Sequence, residues 1–238
     1  MKTTGIGASN FLPRGLLTRK VPEMRLVQIN DFSLSTAAEY QQPVAFSEAR
    51  LEEVAKALCA VPLGSSINAT EISLTKQNEL FAYTLFVPLF NGAGSITIDA
   101  QRITVAFKQG RNKGHLDLMI DCTLSAFNLV KAQPLKRSFL SFMAHAVFDP
   151  PTEYTEHMKR YTSLSAGMVS GGVVLVTALP EIDGELRYAS EKSLALENAV
   201  FIAANASTTK EITKDLFEFL GNRLEATAHV EGICFRKT

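Results

Sequence analysis

Between Phe81 and Phe107 apolar residues recur at every second position: Phe81, Tyr83, Leu85, Val87 and Leu89, then Ile96 and Ile98, then Ile103, Val105 and Phe107. Only an extended chain places alternate side chains on one face, so this stretch must form strands with one buried side. Residues 91–94 (Asn-Gly-Ala-Gly) and 109–114 (Gln-Gly-Arg-Asn-Lys-Gly) have turn compositions, because glycine adopts positive φ without steric cost. The alternation can be followed through Leu116, Leu118, Ile120 and Cys122. Residues 70–127 therefore predict a four-strand antiparallel meander. A symmetric second turn would set Arg102 across from Asp121, Lys108 from His115 and Ala106 from Asp117, a pattern of cross-strand charge pairs.

Helical periodicity brackets this sheet. Met24 to Ile29 predicts a short strand, and Pro43 ends the polar connector after it. Ser47 is placed to cap a helix whose buried stripe is Leu51, Val54, Ala55, Leu58 and Val61, stopped by Pro62 and Gly64. Pro134 is read as the start of a second helix carrying Phe139, Leu140, Phe142, Met143, Ala146 and Val147. It ends at Asp149-Pro150-Pro151, the strongest punctuation in the chain. After a polar linker, strands are predicted at 172–178 and 199–204, with an Asp183-Gly184 turn between them. Thr208-x-x-Glu211 has the form of a capping box for a long final helix, and residues 230–235 suggest an edge strand.

The predicted class is α+β, antiparallel sheets with packed helices, in the order β-α-ββββ-α-βββ-α. The second part loosely repeats the sheet-then-helix plan of the first, so two pseudo-repeated halves are expected, 23–149 and 150–238. Residues 1–22 form a basic tail with Lys2, Arg14, Arg19 and Lys20 and no acid. Organelle transit peptides share that composition, but Gly5, Gly7, Pro13 and Gly15 would break their amphipathic helix. A flexible tail is the expectation.

Twenty-four Lys and Arg balance twenty-four Asp and Glu in 238 residues, so no global field attracts nucleic acid or anionic lipid. Cys59, Cys122 and Cys234 have no metal or redox spacing, and a reducing, cytoplasmic setting is expected. No apolar run reaches the length of a membrane span. No cofactor is expected.

Four features carry candidate chemistry. Gly167, Gly171 and Gly172 precede a strand, whereas a phosphate loop follows a strand and opens a helix, so these glycines read as a strand entrance. His115, Asp117 and Asp121 with Arg102 would offer acid, base and cation to one ligand if their sheet face lined a cavity, and would be an ion-paired surface otherwise. His145 and Asp149, four apart on the expected second helix, with His157 from the linker, have metal-compatible spacing, although a core histidine is the plainer reading. Lys108, Arg111 and Lys113 make a basic hairpin tip that could meet phosphates, without the interleaved aromatics of a nucleic-acid sheet. Cys234 is expected to be the most reactive thiol, with Cys59 and Cys122 on apolar faces.

No nucleophile motif is present and no catalytic residue is assigned. The leading expectation is a non-enzymatic intracellular binding or assembly protein that uses protein–protein contacts or self-association. The rival is a small-molecule protein with an apolar cavity between a curved sheet and the C-terminal helix. Nucleic-acid binding through the 108–113 hairpin is third.

Overall fold

The computed structural model describes residues 23–60, 66–77, 82–130, 134–162 and 172–236. The basic tail 1–22, Pro62, Gly64, Gly167 and Gly171 lie outside these residues. In chain order the elements are β1 (Arg25–Tyr40), α1 (Glu48–Ala60), β2 (Ser73–Gln77), β3 (Ala82–Leu89), β4 (Gly94–Ile98), β5 (Arg102–Gly110), α2 (Lys113–Val130), β6 (Leu135–Phe148), α3 (Pro151–Thr162), β7 (Gly172–Leu179), β8 (Gly184–Lys192), β9 (Ala199–Thr208), α4 (Lys214–Val230) and β10 (Ile233–Phe235). The α+β class holds: a ten-stranded sheet, antiparallel except where β10 runs beside the start of β1, with four packed helices.

Several elements differ from the sequence reading. The fourth meander strand is α2, whose buried residues Met119, Cys122, Thr123, Ala126, Phe127 and Val130 recur at helical intervals. Asn112 starts it, its side chain accepting from the His115 N–H at 3.0 Å. The meander is completed instead by β2, paired with β3. The expected second helix is the long strand β6, and the expected linker is α3. The first strand continues through the supposed connector to Tyr40, past an irregularity between Ile29 and Asp31. Ser47 does cap α1, accepting from the Arg50 N–H at 3.3 Å. Thr208, in contrast, ends β9 and donates to the Ile182 carbonyl, while Thr213 caps α4 through the Leu216 N–H at 3.2 Å.

The strand order is β2-β3-β4-β5-β1-β6-β9-β8-β7. β1 and β6, the two longest strands, lie antiparallel at the centre, and each is followed by a helix, a meander and a second helix. The turns after β3 and β7 correspond closely. Each carries a left-handed residue, Asn91 or Asp183, although Phe90 and Gly92 in the first also have positive φ, and each returns the chain so that a leucine faces a glycine: Leu89 opposite Gly94, Leu179 opposite Gly184. Asp149 and Pro150 stand between β6 and α3, and one sheet passes through both expected halves.

Burial alternates along the central strands. On β1 the inward set is Phe32, Leu34, Thr36, Ala38 and Tyr40, and on β6 it is Ser138, Leu140, Ala144, Ala146 and Phe148. The buried apolar residues of α1 and α2, with Leu216 and Leu220 of α4, share one cluster with Phe32, Leu34, Ala38, Tyr40, Leu140 and Ala144 and with Leu85, Val87, Val105 and Phe107. Met158 of α3 shares a second with Phe148, Tyr188 and Ile202. All four helices therefore cover the same side of the sheet. Among the described residues, no helix covers the other side.

Candidate functional site

The odd-numbered positions of β6 build the centre of that uncovered face, because side chains alternate across a strand. Met143 lies across from Ser33 on β1 and Ala203 on β9, and the row runs on through Ala189 to Val174. The next row is Ala106, Ser35, Ser141, Asn205, Arg187 and Val176, and the one after is Thr104, Ala37, Phe139, Ser207, Glu185 and Ala178. Small side chains dominate all three rows. The result is an almost neutral surface in which Glu185 and Arg187 offset each other.

Large apolar groups also open onto this face. Phe86, Met143, Val174 and Val176 are 40%, 40%, 55% and 64% exposed, and each occupies an outward position in its strand. Isolated exposed apolar residues need no explanation, but several on one sheet face form a surface suited to a partner.

Apart from Glu185 and Arg187, the charges named on this face lie toward its two ends. At one, Asp31, His145, Phe201 and Glu191 lie in a cross-strand row, with Lys108 exposed on β5. At the other, Glu39 lies between Arg102 on β5 and Arg137 on β6. The first end has one carboxylate in excess; at the second, Asp99 lies 3.9 Å from Arg102, so two carboxylates face two guanidiniums.

The predicted site residues are dispersed by this geometry. Arg102 faces Glu39 and not Asp121, and it also approaches Asp99 at 3.9 Å. His115, Asp117 and Asp121 are exposed on α2, so the acid–base row expected on a sheet is not assembled. His115 Nδ1 accepts from the Arg111 N–H at 3.3 Å. Lys108, Arg111 and Lys113 are exposed at a strand-to-helix turn and not at a hairpin tip. The metal set fails because β6 is a strand. His145 points to the uncovered face, while His157 is buried against Phe148 on the helical side, with ring centroids 5.0 Å apart. Asp149 pairs with Arg236 at 3.0 Å. Among the described residues, no three His, Cys, Asp or Glu side chains are grouped to hold a metal ion.

His145 has a different partner, 2.9 Å from Nδ1: the Ser193 hydroxyl. Ser193 Oγ also accepts from the N–H groups of Ala195 at 3.2 Å and Leu196 at 3.0 Å. With both lone pairs engaged, its proton goes to His145 Nδ1. Ser193 is only 3% exposed, and this serine–histidine pair staples the turn between β8 and β9 to β6. The thiol ranking also changes. Cys59 is exposed and Cys234 half-buried, while Cys122 is buried and its pKa is pushed up to about 11 by burial and by nearby Asp121.

The uncovered face escaped sequence reading because serine and alanine carry no chemical motif. Its signal lay in β1, where Ser33, Ser35 and Ala37 alternate with Phe32, Leu34, Thr36 and Ala38.

No protein-family model matches the chain, and no curated protein does. Among solved structures, it is similar to the substrate-free duplicated taurocyamine kinase from Schistosoma mansoni, at 10% identity and a TM-score of 0.35. The match covers 85% of this chain and 33% of the kinase.

Proposed function

We propose that this chain is a non-enzymatic, intracellular assembly protein that self-associates by packing its uncovered sheet face against that of a second copy. The observation that carries the reading is the nearly neutral centre of the face, built mostly of small side chains, with acidic Asp31 and Glu191 toward one end and Arg102 and Arg137 toward the other. Two sheets pack about 10 Å apart when the side chains between them interdigitate, and small residues leave room for that. A two-fold axis in the plane of the face and across the strands would bring the Asp31–Glu191 end of one copy to the Arg102–Arg137 end of the other. That axis makes the contact isologous and closed.

The available area is adequate. Eight strands about 4.8 Å apart, each contributing about eight residues of 3.4 Å, span on the order of 900 Å², against roughly 800 Å² per partner in a stable interface. Nucleic acid is a poorer occupant, since a phosphate surface demands an excess of cations and this face has none. Free thiols at Cys59, Cys122 and Cys234 fit a reducing compartment.

The test is light scattering coupled to gel filtration across a concentration series. The native chain is expected to approach twice its 26.0 kDa. Ala203→Glu with Ala37→Glu, which places charge in the neutral centre, is expected to hold its far-ultraviolet circular dichroism and run as a monomer. A native chain that stays monomeric throughout overturns the reading, as does an unchanged dimer in the double variant.

A further inference from the structure

The helical side of the sheet has one helix glycine that packing does not explain. Gly221 lies within α4, where glycine costs about 1 kcal/mol relative to alanine. Its backbone is not left-handed, and a Cβ built there meets no atom within 4 Å. Neither a special conformation nor a close neighbour requires a residue without a side chain. Gly221 is exposed, and it borders a pocket of about 170 Å³ between α2, α4 and the sheet that opens to solvent.

The walls of this space are Leu116 and Ile120 of α2 and Phe217 and Leu224 of α4, over a floor that includes Phe142 and Ala204. The inward positions of β9 run Val200, Ile202, Ala204, Ala206. Ala204 and Ala206, where branched residues give way to alanine, line the same space as Gly221. No charged side chain lines the cavity. Water finds few polar partners along such walls, and an enclosed apolar cavity of about 150 Å³ is known to accept benzene.

We propose that this cavity is a binding site for a small, uncharged, apolar molecule, a single ring or a short hydrocarbon chain, and that Gly221 is the residue that keeps it open. A ligand of that class buries its surface against Leu, Ile and Phe side chains, with Ser141 the one polar residue of the lining. The site is on the opposite side of the sheet from the proposed self-association face, so the two are independent.

The experiment is thermal unfolding of the full chain with and without near-saturating benzene, together with xenon chemical-shift titration. Benzene is expected to raise the midpoint of the native chain, since a ligand bound only by the folded state stabilises it. Gly221→Leu, which fills the cavity, is expected to be more stable than the native chain without ligand and to lose both the benzene shift and the xenon shift. Gly221→Ala is expected to gain stability and keep part of the response, which retains a readout if leucine proves too large to fold. A native chain that responds to neither probe, while Gly221→Ala is stabilised, identifies a packing void only and overturns the proposal. So does a benzene response that Gly221→Leu leaves intact.

Discussion

The Tyr188 hydroxyl donates to Glu231 Oε2 at 2.7 Å, with both side chains buried, tying the middle of β8 to the residue that ends α4. Glu231 precedes Gly232, whose φ of 76° turns the chain into β10. Tyr188→Phe keeps the ring in the core and removes the donor from a buried carboxyl group. It is expected to lower stability by about 1–3 kcal/mol, the cost of a lost buried hydrogen bond to a group of this kind. Urea unfolding checks this: the midpoint should fall with its slope unchanged. An unaltered midpoint would show that the hydroxyl contributes nothing.

Glycines that face backbone are expected to respond in the opposite direction from Gly221. A Cβ on Gly184 would run into the Ser207 carbonyl oxygen on the paired strand β9. One on Gly172 would come within 2.7 Å of the Ser190 carbonyl oxygen, but β7 is an edge strand and can yield. Gly184→Ala is therefore expected to cost about 1–3 kcal/mol, in the range of overpacked sites, and Gly172→Ala less. Thermal midpoints of the two single variants measure the order, and a larger loss at Gly172 would contradict it.

How much of this was legible in the sequence depends on whether one face of each element was polar. α1, β3, β4 and β5 carry one apolar period each and were read correctly. In α2 the residues Leu116, Leu118, Ile120 and Cys122 fit a strand, while Leu116, Met119, Thr123, Phe127 and Val130 fit a helix, and the two periods compete within a dozen residues. β6 was misread because its uncovered face also carries Phe139, Met143 and Val147, so the alternation vanished and a wide apolar helix replaced it. The likeness in element order between the run that starts at β1 and the one that starts at β6 has little residue-level signal beyond Leu-x4-Gly, at Leu89–Gly94 and Leu179–Gly184. His145, Asp149 and His157 looked like one cluster only under a helical spacing. A strand sends His145 to the face opposite His157.

Cysteine chemistry follows from burial. Cys59 is exposed on α1, Cys234 half-buried on β10 and Cys122 buried beneath α2. The thiolate is the reactive species, and burial and Asp121 both hold the Cys122 proton in place, with a pKa of about 11. Iodoacetamide near neutral pH is expected to modify Cys59 first, then Cys234, and to spare Cys122 until pH approaches 11 or the chain unfolds. Peptide mass mapping against time reads the order. Early labelling of Cys122 in the folded chain would mean that α2 opens readily.

The Arg102–Glu39–Arg137 row makes a prediction that separates charge from shape. Glu39 lies directly across from both arginines, and opposite-charge cross-strand pairs contribute roughly 0.2–1 kcal/mol each, with like charges unfavourable. Glu39→Lys turns two attractions into two repulsions on three adjacent strands, so a loss of about 0.5–2 kcal/mol is expected. The row opens to solvent, so added salt should recover much of that loss by screening. Glu39→Gln, which keeps the shape and removes the charge, should fall between the native chain and Glu39→Lys at low salt and respond less to salt. Urea midpoints at low and high ionic strength distinguish the outcomes. Equal losses for lysine and glutamine would show that the carboxylate acts there by packing and not through its charge.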